Sequence, residues 1–274
     1  MKLADKVAIV TGGGNGIGAA LAAKLAQQQA RVVVADLDAG AAGAVADGIN
    51  AEQPGAAVGV GGDVSETAQI QQLIERAERE FGPVALYFAN AGITGVSGLD
   101  VTEQEWDQSI DINLRAHIRA AQLLVPTWVE RGEGYFVSTA SAAGLLTQLG
   151  SATYSVTKHA AVGFAEWLNI TYGDLGVRVS CLCPMGVNTK LLYAPGESDD
   201  PLARLATRAV TTAGDVLEPA DVAESVLAAI DEERFLILPH PAVLEMYRQK
   251  AADYDRWLSG MRRYQHTLEL QEEA

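Results

Sequence analysis

The chain has 274 residues, of which 49% are hydrophobic and 20% are charged, a composition typical of a globular protein with ample core material. Its formal net charge of -15 at pH 7 repels nucleic-acid phosphates and anionic membranes, so we expect neither as a partner. The apolar runs are short and interrupted, and they predict no transmembrane segment.

The cysteines and the first residues favour a reducing compartment. Cys181 and Cys183 lie two residues apart in an apolar run, where a strain-free disulfide between them could hardly form. Residues 1–5 lead directly into a strand pattern and have no signal-peptide pattern. The four histidines are scattered, and no Cys and His cluster has the spacing of a metal site. The sequence therefore predicts a cytoplasmic protein without a metal.

Apolar, β-rich runs alternate with longer runs of helical periodicity along the chain. The predicted strands are 7–10, 31–35, 57–60, 84–89, 135–138, 177–182 and 235–238, and the predicted helices include 17–28, 39–49, 67–81, 105–130, 153–172 and 220–231. Nearly continuous apolar strands separated by helices are typical of a parallel sheet that is covered on both faces. The pattern predicts an α/β fold, a Rossmann-type doubly wound parallel sheet of seven strands with helices on both faces.

Two segments depart from this alternation. Residues 190–217 contain a cluster of turn residues and acids around Pro195 and Pro201, and we expect a mobile surface loop that acts as a substrate lid. Residues 239–274 carry an apolar stripe at helical intervals, which predicts a C-terminal helical extension that packs on its own domain or on a neighbour. No linker divides the chain, so we expect one domain over 1–274.

A glycine-rich turn separates the first predicted strand from the first predicted helix. Glycine lets the backbone approach a pyrophosphate, and the helix N-terminus offers free N–H groups to the phosphates. The preceding strand, the following helix and an acid at the end of the second strand favour dinucleotide binding over a merely tight turn. The residues expected to contact the dinucleotide here are Gly12, Asn15, Gly16, Ile17 and Gly18.

The acid at the end of the second strand is Asp36. A carboxylate at this position can accept both hydroxyls of the adenosine ribose, whereas it repels a 2′-phosphate by on the order of 4 kcal/mol at about 4 Å. No Arg or Lys lies in the glycine turn to offset that repulsion. The sequence therefore predicts NAD rather than NADP as the cofactor. The alternative is that Asp36 caps the second helix.

Tyr154 and Lys158 lie four residues apart on a predicted helix and therefore share one face. Oxidation of an alcohol requires removal of the hydroxyl proton, and a phenol with a pKa of about 10 is a poor base at neutral pH. A nearby ammonium lowers that pKa, so we expect Lys158 to assist Tyr154 and also to reach the nicotinamide ribose. Ser141 can hydrogen-bond the substrate oxygen and hold it against the phenol.

These motifs, taken in order, resemble the short-chain dehydrogenase/reductase family in its short single-domain branch. The resemblance rests on Gly12, Gly16 and Gly18, on Asn90-Ala91-Gly92, on Asn113, on Ser141 and on Tyr154-x-x-x-Lys158, and it covers roughly residues 3–238. It implies that Asn113 holds a water that passes protons to Lys158. It also implies cofactor contacts from Leu37, Asp63, Val64, Asn90, Ala91, Gly92, Tyr154, Lys158, Pro184, Gly186, Val187 and Thr189.

The sequence departs from the family pattern at three positions. Ala89 lies where a second Asn is common, and Ser180 lies where many members have Asn. Met185 separates Pro184 from Gly186, whereas the usual order is Pro-Gly. Two interpretations remain open: Met185 shapes the substrate pocket, or the glycine is displaced by one residue.

The resemblance and the chemistry together predict an oxidoreductase that interconverts a secondary alcohol and a ketone. A hydrophobic substrate, such as a steroid-, terpene- or lipid-like alcohol, is expected because the predicted pocket residues are largely apolar. The alternatives are a non-catalytic NAD-binding regulator and an isomerase or lyase that retains NAD. Regulators of this fold typically lose the Tyr or the Lys. The predicted substrate contacts are Ser141, Ala143, Leu149, Tyr154, Met185, Leu191 and Leu192.

Two long predicted helices carry more apolar surface than one sheet face can cover. Residues 105–130 and 153–172 have apolar side chains on more than one face. Two-fold pairing of such helices between subunits is a common way to bury the surplus, and members of the resembled family usually pair in this way. The sequence therefore predicts a homo-oligomer, with a tetramer favoured over a dimer.

Overall fold

In the computed structural model, which describes residues 1–272, seven strands form one parallel sheet. The strands are β1 (Val7–Thr11), β2 (Arg31–Asp36), β3 (Ala57–Gly61), β4 (Val84–Ala89), β5 (Gly134–Thr139), β6 (Val177–Leu182) and β7 (Leu236–Ile237). Their order across the sheet is β3-β2-β1-β4-β5-β6-β7. The predicted seven-stranded doubly wound sheet is confirmed, and the strand ends lie within a residue of the predicted ones.

Helices connect the strands and cover both faces of the sheet. Within residues 1–272 they are α1 (Gly16–Gln27), α2 (Ala39–Glu52), α3 (Thr67–Phe81), α4 (Glu103–Ile110), α5 (Ala116–Arg131), α6 (Ala143–Leu146), α7 (Ala152–Tyr172), α8 (Lys190–Tyr193), α9 (Pro201–Thr211), α10 (Pro219–Asp231), α11 (Ala242–Ala252) and α12 (Tyr254–Glu272). None of these helices is long and apolar enough to cross a membrane.

The strand alternation explains the two apolar layers. In β1, Val7 and Ile9 contribute to the core under α3, α5 and α7, whereas Ala8 and Val10 contribute to the core under α1, α2 and α10. Successive strand residues point to opposite faces, so a strand that is buried on both faces must be apolar throughout. This is why the strands are nearly continuous apolar runs in the sequence.

The direction in which the chain adds successive strands to the sheet reverses between β1 and β4. From β1 the chain continues to β2 and β3 on one side, and it then returns to place β4 against the other side of β1. The connections after β1 and β4 therefore diverge and leave a crevice beyond the carboxyl ends of these strands, which is where ligands bind in open α/β sheets.

The Thr11 hydroxyl joins the two strands at the base of this crevice. Thr11 Oγ1 donates to Phe88 O at 3.0 Å and accepts from the backbone N–H groups of Asn90, at 3.0 Å, and Ala91, at 3.1 Å. The Asn90 amide in turn donates to Thr11 O at 3.0 Å. These bonds fix the glycine turn, which follows Thr11, against the segment that follows β4.

The predicted helix 105–130 is interrupted. Residues Asp111–Arg115 form a π-helical turn between α4 and α5, and Asn113 is buried within it. A π-turn adds a residue to one turn of the helix, and such turns are frequent at functional sites. The apolar periodicity of the sequence did not reveal it.

The segment 190–217 is not the irregular loop that its turn residues predicted. It contains α8, a 3₁₀ turn at Ala194–Glu197 and the eleven-residue α9. Leu205 and Ala209 of this segment are buried against Leu268 of α12. The C-terminal helical extension is confirmed as α11 and α12, and only its last two residues lie outside the described part of the chain.

Replacement of Thr11 by Val tests the joint between β1 and β4. The two side chains have the same shape, but Val leaves the Asn90 and Ala91 N–H groups without their acceptor. We expect a loss of about 1–3 kcal/mol in the free energy of unfolding, measured in urea. Thr67→Val, at an exposed position in α3, is the matched control and should change stability by less than about 0.5 kcal/mol. Equal midpoints for the two variants would contradict a joint at Thr11.

Candidate active site

Side chains in the glycine turn would collide with the protein's own backbone. Gly12 has φ +61°, and a Cβ there would lie 2.9 Å from Ala91 Cα. A Cβ on Gly18 would lie 2.1 Å from Gly12 O, so α1 can start this close to the turn only with glycine. No acid occupies the first turn of α1, and the Asn15 side chain does not cap it. The arrangement fits a dinucleotide pyrophosphate at the helix N-terminus.

Asp36 lies at the end of the cleft formed by β2 and the glycine turn. Its Oδ2 accepts the Gly14 N–H at 2.8 Å and its Oδ1 accepts the Asp38 N–H at 3.1 Å. The alternative that Asp36 caps α2 was wrong, because Asp38 is the cap and accepts from the N–H groups of Gly40 and Ala41. Asp36 is therefore held by the glycine turn itself. Leu37, which is 76% exposed, follows it at the rim.

Asn90 links the carboxyl ends of three adjacent strands. Besides its bond to Thr11 of β1, its side-chain carbonyl accepts from Thr139 Oγ1 of β5 at 3.2 Å. The Thr139 carbonyl then accepts the Lys158 ammonium at 2.9 Å. A chain of hydrogen bonds thus runs from the glycine turn to α7. The part played by Thr139 was not found in the sequence, because a backbone carbonyl carries no sequence signal.

Tyr154, Lys158 and Ser141 meet at the inner end of the cleft. Ser151 caps α7 by accepting the Tyr154 N–H at 3.3 Å, and Lys158 follows one turn later with its ammonium 5.6 Å from the centre of the Tyr154 ring. The Ser141 hydroxyl donates to Pro184 O at 3.4 Å and lies close enough to the Tyr154 phenol to lower the pKa of that group. The backbone N–H of Ala143 donates to Ser141 Oγ at 3.1 Å and fixes that side chain.

Burial acts on both titratable groups. It raises the pKa of Tyr154, and the Ser141 hydroxyl opposes this effect. Burial lowers the pKa of Lys158 to about 8. We expected Lys158 to lower the pKa of the phenol, but desolvation is the larger influence on it here. The phenol is therefore held protonated at neutral pH.

Asn113 faces the same region from the π-turn. Its Oδ1 accepts the Ile93 N–H at 2.9 Å, and its Nδ2 donates to Ile93 O at 2.9 Å and to Thr157 Oγ1 at 3.1 Å. The amide therefore fixes the segment after β4 to α7, one residue before Lys158. Asn113 does not itself line the cleft.

The cleft encloses about 1220 Å³ and runs from Asp36 past Tyr154 to the C-terminal extension. It brings together all the predicted site residues except Asn113 and Gly186. The predicted residues that line it are Gly12, Asn15, Gly16, Ile17, Gly18, Asp36, Leu37, Asp63, Val64, Asn90, Ala91, Gly92, Ser141, Ala143, Leu149, Tyr154, Lys158, Pro184, Met185, Val187, Thr189, Leu191 and Leu192.

The unusual order Pro184-Met185-Gly186 has a structural basis in His240. The Met185 N–H donates to His240 Nδ1 at 3.2 Å, and His240 Nε2 donates to Gly186 O at 3.0 Å. A Cβ on Gly186 would lie 3.2 Å from Val216, so this glycine packs against the segment after α9 and not along the cleft. Met185 lines the cleft, whereas Gly186, for which the sequence predicted a cofactor contact, is not among the residues that line it.

The sequence did not indicate the far wall of the cleft. Side chains of α11 and α12 complete it, and they belong to the same chain as Tyr154. They are Met246, Gln249, Trp257, Met261 and Tyr264. Among the described residues no group of His, Cys, Asp and Glu could hold a metal ion.

Known proteins resemble this chain along most of its length. A sequence model described as short chain dehydrogenase matches residues 6–199. The 1-deoxy-11-beta-hydroxypentalenate dehydrogenase of Streptomyces avermitilis is 34% identical over 245 residues, which are 86% of this chain and 85% of that protein. The 4-formylbenzenesulfonate dehydrogenase of Comamonas testosteroni is 35% identical over 240 residues, which are 86% and 95% of the two chains.

A solved structure supports the same relationship. The short chain dehydrogenase/reductase of Burkholderia phymatum, in complex with NAD, superposes with a TM-score of 0.84 at 33% identity and covers 93% of this chain and 96% of its own. The sheet order, the glycine turn and the spacing of Ser141, Tyr154 and Lys158 agree with these matches. This chain therefore belongs to the short-chain dehydrogenase/reductase family and is an oxidoreductase of that family.

Proposed function

We propose that this chain is an NAD-dependent dehydrogenase that interconverts a hydrophobic secondary alcohol and its ketone, with Tyr154 as the general acid/base. The observation that carries the proposal is that Ser141, Tyr154 and Lys158 line the same cleft as the glycine turn. Ordinary ligand pockets enclose ~300–1,000 Å³. A cleft of about 1220 Å³ has room for a dinucleotide and a substrate together.

The residues that would hold NAD form a continuous lining. The glycine turn would hold the pyrophosphate, Asp36 the adenosine ribose, and Asp63 and Val64 the adenine, while Thr189 would hold the nicotinamide amide. When bound, NAD supplies the hydride acceptor for alcohol oxidation, and its reduced form supplies the donor for ketone reduction. The fit rests on the N-terminus of α1, which lines the cleft and has neither an acid in its first turn nor a side-chain cap on its N–H groups.

The proton that accompanies hydride transfer is handled at the Tyr154 oxygen. In ketone reduction the protonated phenol donates it to the substrate oxygen, and in alcohol oxidation the phenolate accepts it. Burial favours the protonated phenol, whereas the Ser141 hydroxyl and the nearby Lys158 ammonium favour the phenolate. The water beside Asn113 that the family resemblance implies would connect Lys158 to solvent.

NAD is proposed over NADP because of the charge on Asp36. The carboxylate is fixed by two backbone N–H groups and cannot turn away from a 2′-phosphate without losing them. The NAD complex of the related Burkholderia phymatum protein agrees with this proposal.

The apolar character of the inner pocket supports a hydrophobic substrate. Ala143, Leu149, Met185, Leu191 and Leu192 line the cleft around the Tyr154 phenol. A polar substrate such as a sugar would find few hydrogen-bond partners among them. The related protein from Streptomyces avermitilis is named for a hydroxypentalenate substrate, a carboxylate that carries an alcohol group.

We also propose that the protein works in the cytoplasm. Cys181 and Cys183 are buried free thiols with their sulfurs 3.8 Å apart, which suits a reducing cytoplasm.

On α7, Trp167 is 53% exposed and Ile170 is 83% exposed. Such a patch on a long helix favours a homo-oligomer through two-fold pairing, with a tetramer preferred over a dimer.

Tyr154→Phe removes the acid/base oxygen and keeps the ring. We expect kcat for a secondary alcohol with NAD to fall by ~10²- to 10⁴-fold, while the Kd for NADH, measured by fluorescence titration, stays within about twofold. Lys158→Ala should lower kcat and also weaken NADH binding, because Lys158 serves both. A Tyr154→Phe enzyme with wild-type kcat would falsify the assignment of Tyr154.

Asp36→Ser and Asp36→Asn test the cofactor preference. Both remove the charge, and Asn keeps an acceptor for the Gly14 N–H, so a shared effect is due to charge. We expect the ratio of kcat/KM for NAD to that for NADP to fall at least ~10-fold in both variants. Asp38→Asn, two residues away on the exposed cap of α2, is the control and should leave the ratio unchanged. A wild-type enzyme that prefers NADP would overturn the proposal.

Ile170→Glu tests the assembly through α7. The wild-type chain should scatter light as a tetramer at micromolar concentration, and a charge at the centre of the exposed patch should lower its mass. Glu166→Gln, a nearby substitution that adds no charge, is the control and should keep the wild-type mass. A monomeric wild-type chain excludes the proposed oligomer.

A further inference from the structure

The C-terminal extension lies against the cleft of its own chain. Trp257, Met261 and Tyr264 of α12, together with Met246 and Gln249 of α11, line the cleft that also contains Tyr154. This part of the chain lies outside residues 6–199, which match the family. None of the five side chains is charged, so they form a wall that is mainly apolar and aromatic.

One face of α12 is dedicated to this wall. Trp257, Met261, Tyr264 and Leu268 follow one another at intervals of four, three and four residues, which places them along one side of a helix. All four are partly or fully buried, whereas the adjacent Leu258 is 44% exposed. The helix is therefore oriented, with the apolar stripe towards the cleft and α9.

Tyr264 fastens α12 to the C-terminal end of α9. Its hydroxyl donates to Ala209 O at 3.0 Å and lies 2.7 Å from Thr212 Oγ1. Leu268, one turn later, packs with Leu205 and Ala209. A phenol with one apolar face and a hydrogen-bonded tip suits such a contact between two helices.

Lys250 fastens α11 to the catalytic segment. It is buried, and its ammonium donates to Leu145 O at 2.7 Å and lies 5.3 Å from the centre of the Tyr254 ring. Leu145 belongs to α6, which begins two residues after Ser141. Burial of an ammonium is costly without partners, so these contacts fix the position of the extension relative to Ser141.

We propose that the C-terminal extension forms the outer wall of this chain's own substrate pocket and selects bulky, multi-ring apolar alcohols and ketones. Trp257 and Met261 are the specificity-determining residues, and Tyr264 is a positioning residue that holds them. The inference rests on the proposed function. In this proposal the apolar stripe of α12 contacts the cleft of its own chain and not the pocket of a neighbouring subunit.

Trp257→Ala tests the wall with two alcohols of different size. We expect kcat/KM for decahydro-2-naphthol relative to 2-propanol to fall at least ~10-fold, mainly through KM, because the large substrate loses its apolar contact. Leu258→Ala, the adjacent exposed position on the same helix, is the matched control. A ratio that changes no more than in Leu258→Ala overturns the proposal.

Tyr264→Phe tests the positioning role. It removes only the hydroxyl, and we expect KM for decahydro-2-naphthol to rise about fivefold while kcat and the KM for 2-propanol stay the same. Amide hydrogen exchange should be faster in α12. Tyr247→Phe, on α11 at a residue that is 38% exposed, is the control. If the two variants behave alike in both measurements, Tyr264 does not position the wall.

A binding measurement distinguishes failure of this inference from failure of the proposed function. Calorimetry of decahydro-2-naphthol, with and without NADH, needs no turnover. Binding that weakens in Trp257→Ala supports the wall even if no alcohol is oxidised, in which case the proposed function alone fails. Turnover with unchanged binding and selectivity in Trp257→Ala rejects the wall alone. A lower mass by light scattering with unchanged selectivity also rejects it, because the stripe then serves a subunit interface.

Discussion

The site depends on one chain of hydrogen bonds across the carboxyl ends of β1, β4 and β5. It runs from Thr11 to Asn90, from Asn90 to Thr139, and from Thr139 to the Lys158 ammonium. The connections of the strands diverge at this point, and these bonds tie the glycine turn to α7. Each bond is directional and lies in a partly or fully buried setting, where an unpaired group is costly. The chain therefore sets the distance between the glycine turn and the pair formed by Tyr154 and Lys158.

The same burial that fixes Lys158 also sets the protonation of the pair. Desolvation penalises the charged form of each group, which raises the pKa of Tyr154 and lowers that of Lys158 to about 8. A protonated phenol beside a mostly charged ammonium is suited to donate a proton to a ketone oxygen. Proton removal from an alcohol requires the phenolate, which the Ser141 hydroxyl and the nearby Lys158 ammonium favour.

The sequence predicted the features that local pattern determines. The strands are buried on both faces and are therefore apolar runs in the sequence. The glycine turn and the Tyr154–Lys158 spacing each lie within a few consecutive residues. It failed where a distant partner decides the structure. The segment with Pro195 and Pro201 was predicted to be a loop, yet α9 forms there because Leu205 and Ala209 pack on Leu268, which is far along the chain. The extension showed an apolar stripe, but the sequence held no information on what the stripe would cover.

Met185 departs from the family pattern, and His240 holds the backbone at Met185 and Gly186. The extra residue between Pro184 and Gly186 places a long side chain in the cleft, and its terminal methyl lies only 2.6 Å from where a Cβ on Gly214 would be. A glycine at 214 therefore makes room for Met185. The displaced backbone is held by His240, whose ring accepts from one residue and donates to the next. Because His240 opens the C-terminal extension, the segment beside Tyr154 and the outer wall of the pocket share one anchor, and a change in either is transmitted to the other.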